Sequence, residues 1–146
     1  MAITAVIRIK GRFSKSPAVR GTLESLKLST LYSCVLVPQN DSYRGMLQSC
    51  KDVTTFGPVG QETVQFLLEK RGRTSDGRRL KDAKKPEEIA KIAQELVAGK
   101  TPAALGIRAF FSLSPPKGGF GSRRSQAPFG PLGKNAAIGE LISLMA

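Results

Sequence analysis

The chain has 146 residues, which is enough for one domain of ordinary size with a smaller appendage. Apolar residues make up 40% of it, so a hydrophobic core can form without disulfides or a metal. There are 23 Lys and Arg against 11 Asp and Glu, no His, and a net charge of +12. The lack of His excludes His-based catalytic triads and imidazole zinc sites, and the positive charge predicts a polyanionic partner, most often nucleic acid.

Cysteine usage and hydropathy exclude further classes of protein and of site. Cys34 and Cys50 form no CxxC pair and cannot complete a zinc or iron–sulfur site by themselves, so we expect two buried thiols in a reducing cytosol. No segment approaches the 18 apolar residues of a membrane span, and Met1–Lys10 lacks the features of a signal peptide. We expect a cytoplasmic protein with no cofactor, no metal, no membrane partner and no small-molecule substrate.

The first sixty residues predict the element order β-α-β-α-β. The alternation in Ile3–Ile9 predicts a half-buried strand. A helix should begin at Pro17 behind the N-cap Ser16, and a second strand should cover 32–37. The remaining elements are a helix capped by Asp41 or Ser42 and a strand over 53–56 ended by Gly57-Pro58. This order predicts a ferredoxin-like α+β core, a small antiparallel sheet with two helices on one face.

Residues 61–146 differ in composition and predict a mainly helical C-terminal extension. We interpret 1–60 as the core and 61–146 as this extension, which includes a Gly/Pro-rich basic loop at 114–134. The other predicted elements are a helix over 61–71, a cation-rich loop over 72–85, a helix from Pro86 to Gly99, a strand over 107–113, and a final helix capped by Asn135.

Three cationic clusters are the candidate binding residues. A single such cluster is typical of a solvated loop, but three with few acids nearby favour RNA or DNA. Glycine lets the backbone approach a phosphate chain closely, and Arg pairs with phosphate oxygens at two points. Arg44 is a further candidate, for which the structural alternative is an ion pair on the helix surface. The clusters are Lys10, Arg12 and Lys15; Arg71, Arg73, Arg78 and Arg79; and Lys117, Arg123, Arg124 and Lys134.

No catalytic set is apparent in the sequence. Gly99-Lys100-Thr101 imitates the end of a phosphate-binding loop, but Gln94 stands where the motif requires Gly. Strands with the aromatic pattern of sheet-surface RNA binding are also missing, so the pattern favours recognition of a folded RNA by shape and phosphate contacts.

Several segments resemble a known family along nearly the whole chain. The first strand and basic loop (6–12), the second strand (34–38) and the start of the second helix (42–47) match its core. Leu67–Arg73, Phe110–Phe120 and Ile138–Ile142 match its extension, although Ser112 and Ser114 stand where the family often has Arg and His. The chain thus resembles the large-subunit ribosomal protein family numbered thirty in bacteria and archaea and seven in eukaryotes, in its longer archaeal form.

The resemblance implies a structural constituent of the large ribosomal subunit that binds and stabilises the large-subunit rRNA through basic loops. Its implied partners are that rRNA and neighbouring ribosomal proteins, and it leaves open whether 5S rRNA is also contacted. It implies no enzymatic activity. Two alternatives stay open: a free-standing RNA-binding regulatory protein, and a small phosphatase on a ferredoxin-like fold using Arg12 and Asn40.

Overall fold

The computed structural model describes residues 3–9, 17–28, 30–51, 53–100, 102–115, 133–134 and 138–146. Within these ranges, an N-terminal run of alternating strands and helices is followed by a more helical segment, as the sequence predicts. The elements are β1 (Ile3–Arg8), α1 (Pro17–Ser25), β2 (Ser33–Pro38), α2 (Asp41–Ser49), β3 (Thr54–Val59), α3 (Gln61–Arg71), α4 (Leu80–Ala83), α5 (Pro86–Val97), a 3-10 turn (Ala103–Leu105), β4 (Phe110–Ser112), β5 (Gly133–Lys134) and α6 (Ile138–Met145).

The strands form one sheet in the order β4-β2-β1-β3-β5. β1 lies at the centre and pairs antiparallel with β2 and β3, and β4 pairs antiparallel with the outer edge of β2. The ferredoxin-like α+β prediction is therefore confirmed. The two-residue β5, which the sequence pattern did not predict, pairs parallel with β3 on the opposite edge.

One face of the sheet is covered by α1 and α2, as predicted. Val6 and Val35 of the sheet pack there with Leu23 of α1 and Leu47 of α2. Residues two apart along a strand share a face, so this set follows from the even-numbered positions of β1 and the odd-numbered positions of β2.

The opposite face of the sheet is covered by the helices that follow residue 60. Ala5 and Ile7 of β1 belong to one buried cluster with Leu67 of α3, Ile92 of α5 and Ile142 of α6. The prediction of a half-buried first strand is therefore wrong, because every residue of β1 is buried.

One of the buried residues of β1, Arg8, is charged. Arg8 is 6% exposed, and its Nη1 donates a hydrogen bond to the carbonyl oxygen of Leu28 at 2.8 Å. A buried guanidinium requires such acceptors, since an unpaired buried charge is costly. Arg8 thus fastens the central strand to the segment that follows α1.

Two predicted boundaries around the second helix need correction. Asn40, rather than Asp41 or Ser42, is the N-cap of α2, because its side chain accepts a hydrogen bond from the backbone N–H of Tyr43 at 2.9 Å. Gly57 and Pro58 do not end the third strand but lie within β3, where they pair with Ala5 and Thr4.

Two predictions in the extension also need correction. The segment 72–85 is not a loop throughout: it contains α4, and Leu80 is fully buried. The predicted strand over 107–113 is shorter, with β4 limited to three residues and Ile107 in an isolated bridge with Thr74. The predicted N-caps Ser16 and Asn135 lie outside the described residues.

Both cysteines are free and buried, so we expect them to be unreactive in the folded chain. Burial raises the pKa of Cys34 to about 12, and it also raises the pKa of Cys50. Since the thiolate is the reactive form, alkylation by iodoacetamide at mildly alkaline pH should be slow until denaturant is added, when both thiols should react. Mass spectrometry of the alkylated protein measures this, and rapid labelling of the native chain would contradict it.

Candidate RNA interface

An arginine hairpin, residues 73–79, follows directly after α3. Arg73 and Arg79 are paired in an antiparallel bridge, and the backbone N–H of Thr74 donates to the carbonyl oxygen of Arg78 at 2.9 Å. The turn closes with a 2.9 Å hydrogen bond from the Gly77 N–H to the Thr74 carbonyl. Gly77 has φ +93°, a conformation that glycine adopts without steric cost.

The hairpin is fastened to the rest of the fold at both sides. On one side, Leu80 is buried and its N–H donates to the carbonyl oxygen of Gly72 at 2.9 Å. On the other, the N–H of Ser75 donates to Gly106 and the N–H of Arg108 donates to Arg73, both at 3.0 Å. These contacts give the arginines a defined backbone position, which suits a preformed contact surface.

Arg73 and Arg79 lie directly opposite each other, and both side chains are exposed. Residues paired in this way project to the same side, and like charges there destabilise the pairing. The Nη1 of Arg73 donates to the carbonyl oxygen of Gly77 at 3.1 Å, which leaves its other donors for a ligand. An anion between the two guanidinium groups would relieve their repulsion.

Two further arginines border the hairpin. The Nη2 of Arg71 donates to the hydroxyl of Ser114 at 2.6 Å and so holds the chain after β4 against the end of α3. Arg108 was missed by sequence reasoning. A Cβ added at Gly77 would lie 3.3 Å from the Nη2 of Arg108, and the same guanidinium lies 6.0 Å from the centre of the Phe110 ring. Only the fold brings Arg108 to the hairpin, since about thirty residues separate them in sequence.

The charge around the hairpin is strongly unbalanced. Residues 70–85 contain eight Lys and Arg but only Asp76 and Asp82 as acids. Arg44–Asp41 at 3.9 Å and Lys100–Glu95 at 3.3 Å are ion pairs elsewhere in the described ranges, and none of these eight cations pairs with a described acid. The surface is therefore a concentration of solvated positive charge, as binding to a phosphate backbone requires.

The remaining predicted contact residues do not gather at the hairpin in the described part of the chain. Arg44 is exposed on α2, and its ion pair with Asp41 is long and solvated, which makes it weak. The backbone of Lys134 lies in β5 opposite Phe56. Outside the described residues are Lys10, Arg12, Lys15, Lys117, Arg123 and Arg124.

Among the described residues there is no cluster of three or more His, Cys, Asp or Glu that could hold a metal ion. None of the helices in those ranges combines the length and apolar character needed to cross a bilayer.

Comparison with known proteins gives a consistent result. A family model described as ribosomal protein L30p/L7e matches residues 4–53, which contain α1, β2, α2 and all of β1 except its first residue. A protein of Methanothrix thermoacetophila named large ribosomal subunit protein uL30 is 37% identical, and the alignment covers 97% of this chain and 98% of that protein. The chain belongs to the L30p/L7e family of ribosomal proteins.

Two other relatives of the same name extend this finding. The Archaeoglobus fulgidus protein is 36% identical over 88% of this chain and 90% of its own length. The Nanoarchaeum equitans protein is 32% identical over 98% of this chain and 96% of its own length. The L30p/L7e model ends before β3, whereas these relatives match most of the chain. Membership of a ribosomal protein family makes this chain a structural protein and not an enzyme.

Proposed function

We propose that the chain is a constituent of the large ribosomal subunit in the cytoplasm, where it binds and stabilises the folded large-subunit rRNA through its basic segments. The name shared by its relatives supports the ribosomal role. The arginine hairpin supports the RNA contact, because it sets Arg73 and Arg79 opposite each other without an acidic partner among the described residues.

The mechanism is neutralisation of phosphates on a preformed surface. Each phosphate that an arginine engages releases condensed counterions, so affinity falls with salt by a logarithmic slope of about −0.7 to −0.9 per contact. The hairpin backbone is fixed by hydrogen bonds to Gly72, Gly106 and Arg108, so little ordering is needed at that position on binding. Lys10, Arg12, Lys15, Lys117, Arg123, Arg124 and Lys134 are proposed to add further phosphate contacts.

Replacing Arg73→Gln together with Arg79→Gln tests this mechanism. We expect affinity for deproteinised large-subunit rRNA to fall on the order of tenfold at moderate salt, and the salt slope to become shallower by about 1.4 to 1.8. Thermal stability should stay equal or rise, since the repulsion within the bridge is removed. Filter binding over a salt series measures the slope, and calorimetry measures the unfolding temperature.

A matched control removes the same charge elsewhere. Lys91→Gln with Lys100→Gln changes two exposed cations of α5 and the turn after it, and it should leave the slope nearly unchanged. Equal losses in the two double variants would mean that net charge, and not the hairpin, carries the binding.

The ribosomal assignment is tested by sedimentation of a cell lysate with quantitative detection of the protein. One copy for each large subunit, retained until high salt, is the expected result. A position at the top of the gradient would favour the free-standing RNA-binding regulator.

Neighbouring ribosomal proteins and 5S rRNA are proposed partners that cross-linking in the purified subunit would identify.

A further inference from the structure

A groove lies between α2 and the end of the sheet, apart from the arginine hairpin. Its volume is about 270 Å³, which is smaller than the roughly 300–1,000 Å³ typical of pockets for drug-sized ligands. A small ligand is therefore a better match in size than a drug-sized one. Its lining includes Thr4, Asn40, Tyr43, Arg44, Gln48 and Phe56.

The groove contains the hydroxyl of a buried residue, Thr4. Thr4 is 6% exposed and belongs to the lining, and no hydrogen bond joins its hydroxyl to the part of the chain that the structure describes. A buried polar group without a hydrogen bond costs free energy, so such groups in native proteins usually have a partner. A ligand in the groove would supply that partner.

Two half-buried aromatic residues belong to the same lining. Phe56 comes from β3, on the sheet face shared with Val6, and Tyr43 comes from the inner face of α2. Both pack against the core on one side and border the groove on the other. Aromatic rings presented in this way are the surfaces on which unpaired RNA bases stack.

The polar groups around the rings match the edge of a base. Gln48 and Asn40 carry amide groups, which can both donate and accept hydrogen bonds. The Asn40 side-chain oxygen already accepts from the Tyr43 N–H at 2.9 Å, so its amide nitrogen is the group left for a ligand. Arg44 is 79% exposed in its side chain and only weakly paired, so it can stack on a base or pair with its phosphate.

We propose that this groove binds one unpaired nucleobase of the RNA, an inference that depends on the proposed function. The base would stack against Phe56 and Tyr43, accept or donate a hydrogen bond at the Thr4 hydroxyl, and pair its edge with Asn40 or Gln48. This contact differs in kind from the arginine hairpin, since stacking and edge contacts select an unpaired nucleotide whereas phosphate contacts do not. It places a position-specific contact on a protein whose other contacts are electrostatic.

Two conservative variants test the groove. Phe56→Leu keeps an apolar side chain but removes the ring, and loss of stacking predicts about 5- to 150-fold weaker binding to deproteinised large-subunit rRNA. Thr4→Val keeps the shape and removes the hydroxyl, so it should weaken binding while leaving the unfolding temperature equal or higher. Phe66→Leu is the matched control, because Phe66 is a half-buried aromatic of α3 outside the groove.

The salt dependence of rRNA affinity distinguishes the contribution of the groove from that of the arginine hairpin. Groove variants should lower affinity at every salt concentration with an unchanged slope, because no phosphate contact is lost, whereas the hairpin variants change the slope. Ultraviolet cross-linking of purified large subunits should also give a nucleotide adduct on the peptides containing Tyr43 or Phe56, as identified by mass spectrometry. Cross-linking of the groove to a protein neighbour instead would overturn the proposal.

Failure of the groove proposal and failure of the proposed function give different results in these experiments. If Phe56→Leu and Thr4→Val bind as tightly as Phe66→Leu while the hairpin variants lose affinity, the groove proposal is wrong and the proposed function stands. If no version of the chain binds this RNA or sediments with large subunits, the proposed function fails and the groove proposal fails with it. A lower unfolding temperature for Thr4→Val would show that the hydroxyl has a structural partner within the chain, and it would overturn the inference that a bound base supplies that partner.

Discussion

A chain that ends at residue 60 is expected to aggregate instead of forming a stable monomer. The sheet face opposite α1 and α2 carries Ile3, Ala5, Ile7, Cys34 and Leu36. Every other fully buried member of that cluster comes from beyond residue 60, so truncation exposes this whole face to water. It also removes β4 and β5, which leaves the outer edges of β2 and β3 unpaired.

Size-exclusion chromatography and binding of a hydrophobic dye would measure this outcome. As a control, the same fragment carrying Ile3→Thr, Ile7→Thr and Leu36→Thr has a polar outer face while keeping residues that favour strands, so it should aggregate less. We propose on this basis that residues 1–60 and 61–146 fold as one unit. A wild-type fragment that stays monomeric and unfolds cooperatively would instead show that the core is an independent domain.

Gly72→Ala is expected to destabilise the chain and to displace the arginine hairpin. Gly72 is the C-cap of α3, and its φ of −64° is open to any residue, so backbone freedom does not explain the glycine. The reason is lack of space, because a Cβ there would overlap the carbonyl oxygen of Leu68, which is a backbone atom and cannot rotate away. Overpacking of this kind typically costs about 1–3 kcal/mol, which corresponds to roughly 3–10 °C in unfolding temperature for a chain of this size.

The carbonyl oxygen of Gly72 also accepts the hydrogen bond from Leu80 that fastens the hairpin. Weaker binding to rRNA should therefore accompany the loss of stability. Gly45→Ala is the control, since Gly45 lies inside α2 with no atom within 4 Å of an added Cβ, and alanine there should stabilise the helix by about 0.5–1 kcal/mol. If Gly72→Ala unfolds at the wild-type temperature, the backbone at the end of α3 is more adaptable than the structure indicates.

The two proposed RNA contacts would contribute to binding in different ways. Arg73 and Arg79 face solvent on a hairpin whose position is set by Leu80 and Gly106, so they are suited to phosphates at the surface of a folded RNA. Phe56 and Thr4 line the groove of about 270 Å³ in which we propose that one nucleobase binds. Together they would let a largely electrostatic binder also require an unpaired nucleotide at one position.

The sequence by itself determined the elements whose patterns are local. Alternation in 3–9, the apolar spacing after Asn40, and Pro86 at the start of a helix depend on neighbours a few residues away, so β1, α2 and α5 could be predicted closely. The arginines of the hairpin were also identified from sequence, because charge and glycine content are properties of composition.

Only the tertiary structure decided which surfaces meet. The full burial of β1 depends on α3, α5 and α6 packing on its second face, a contact between residues far apart in sequence. In the same way, Arg108 joins the hairpin through the Arg73 carbonyl, and the groove forms where α2 meets β1 and β3. Contacts between elements that are far apart in sequence arise from chain topology and packing, and the periodicity of a single segment does not predict them.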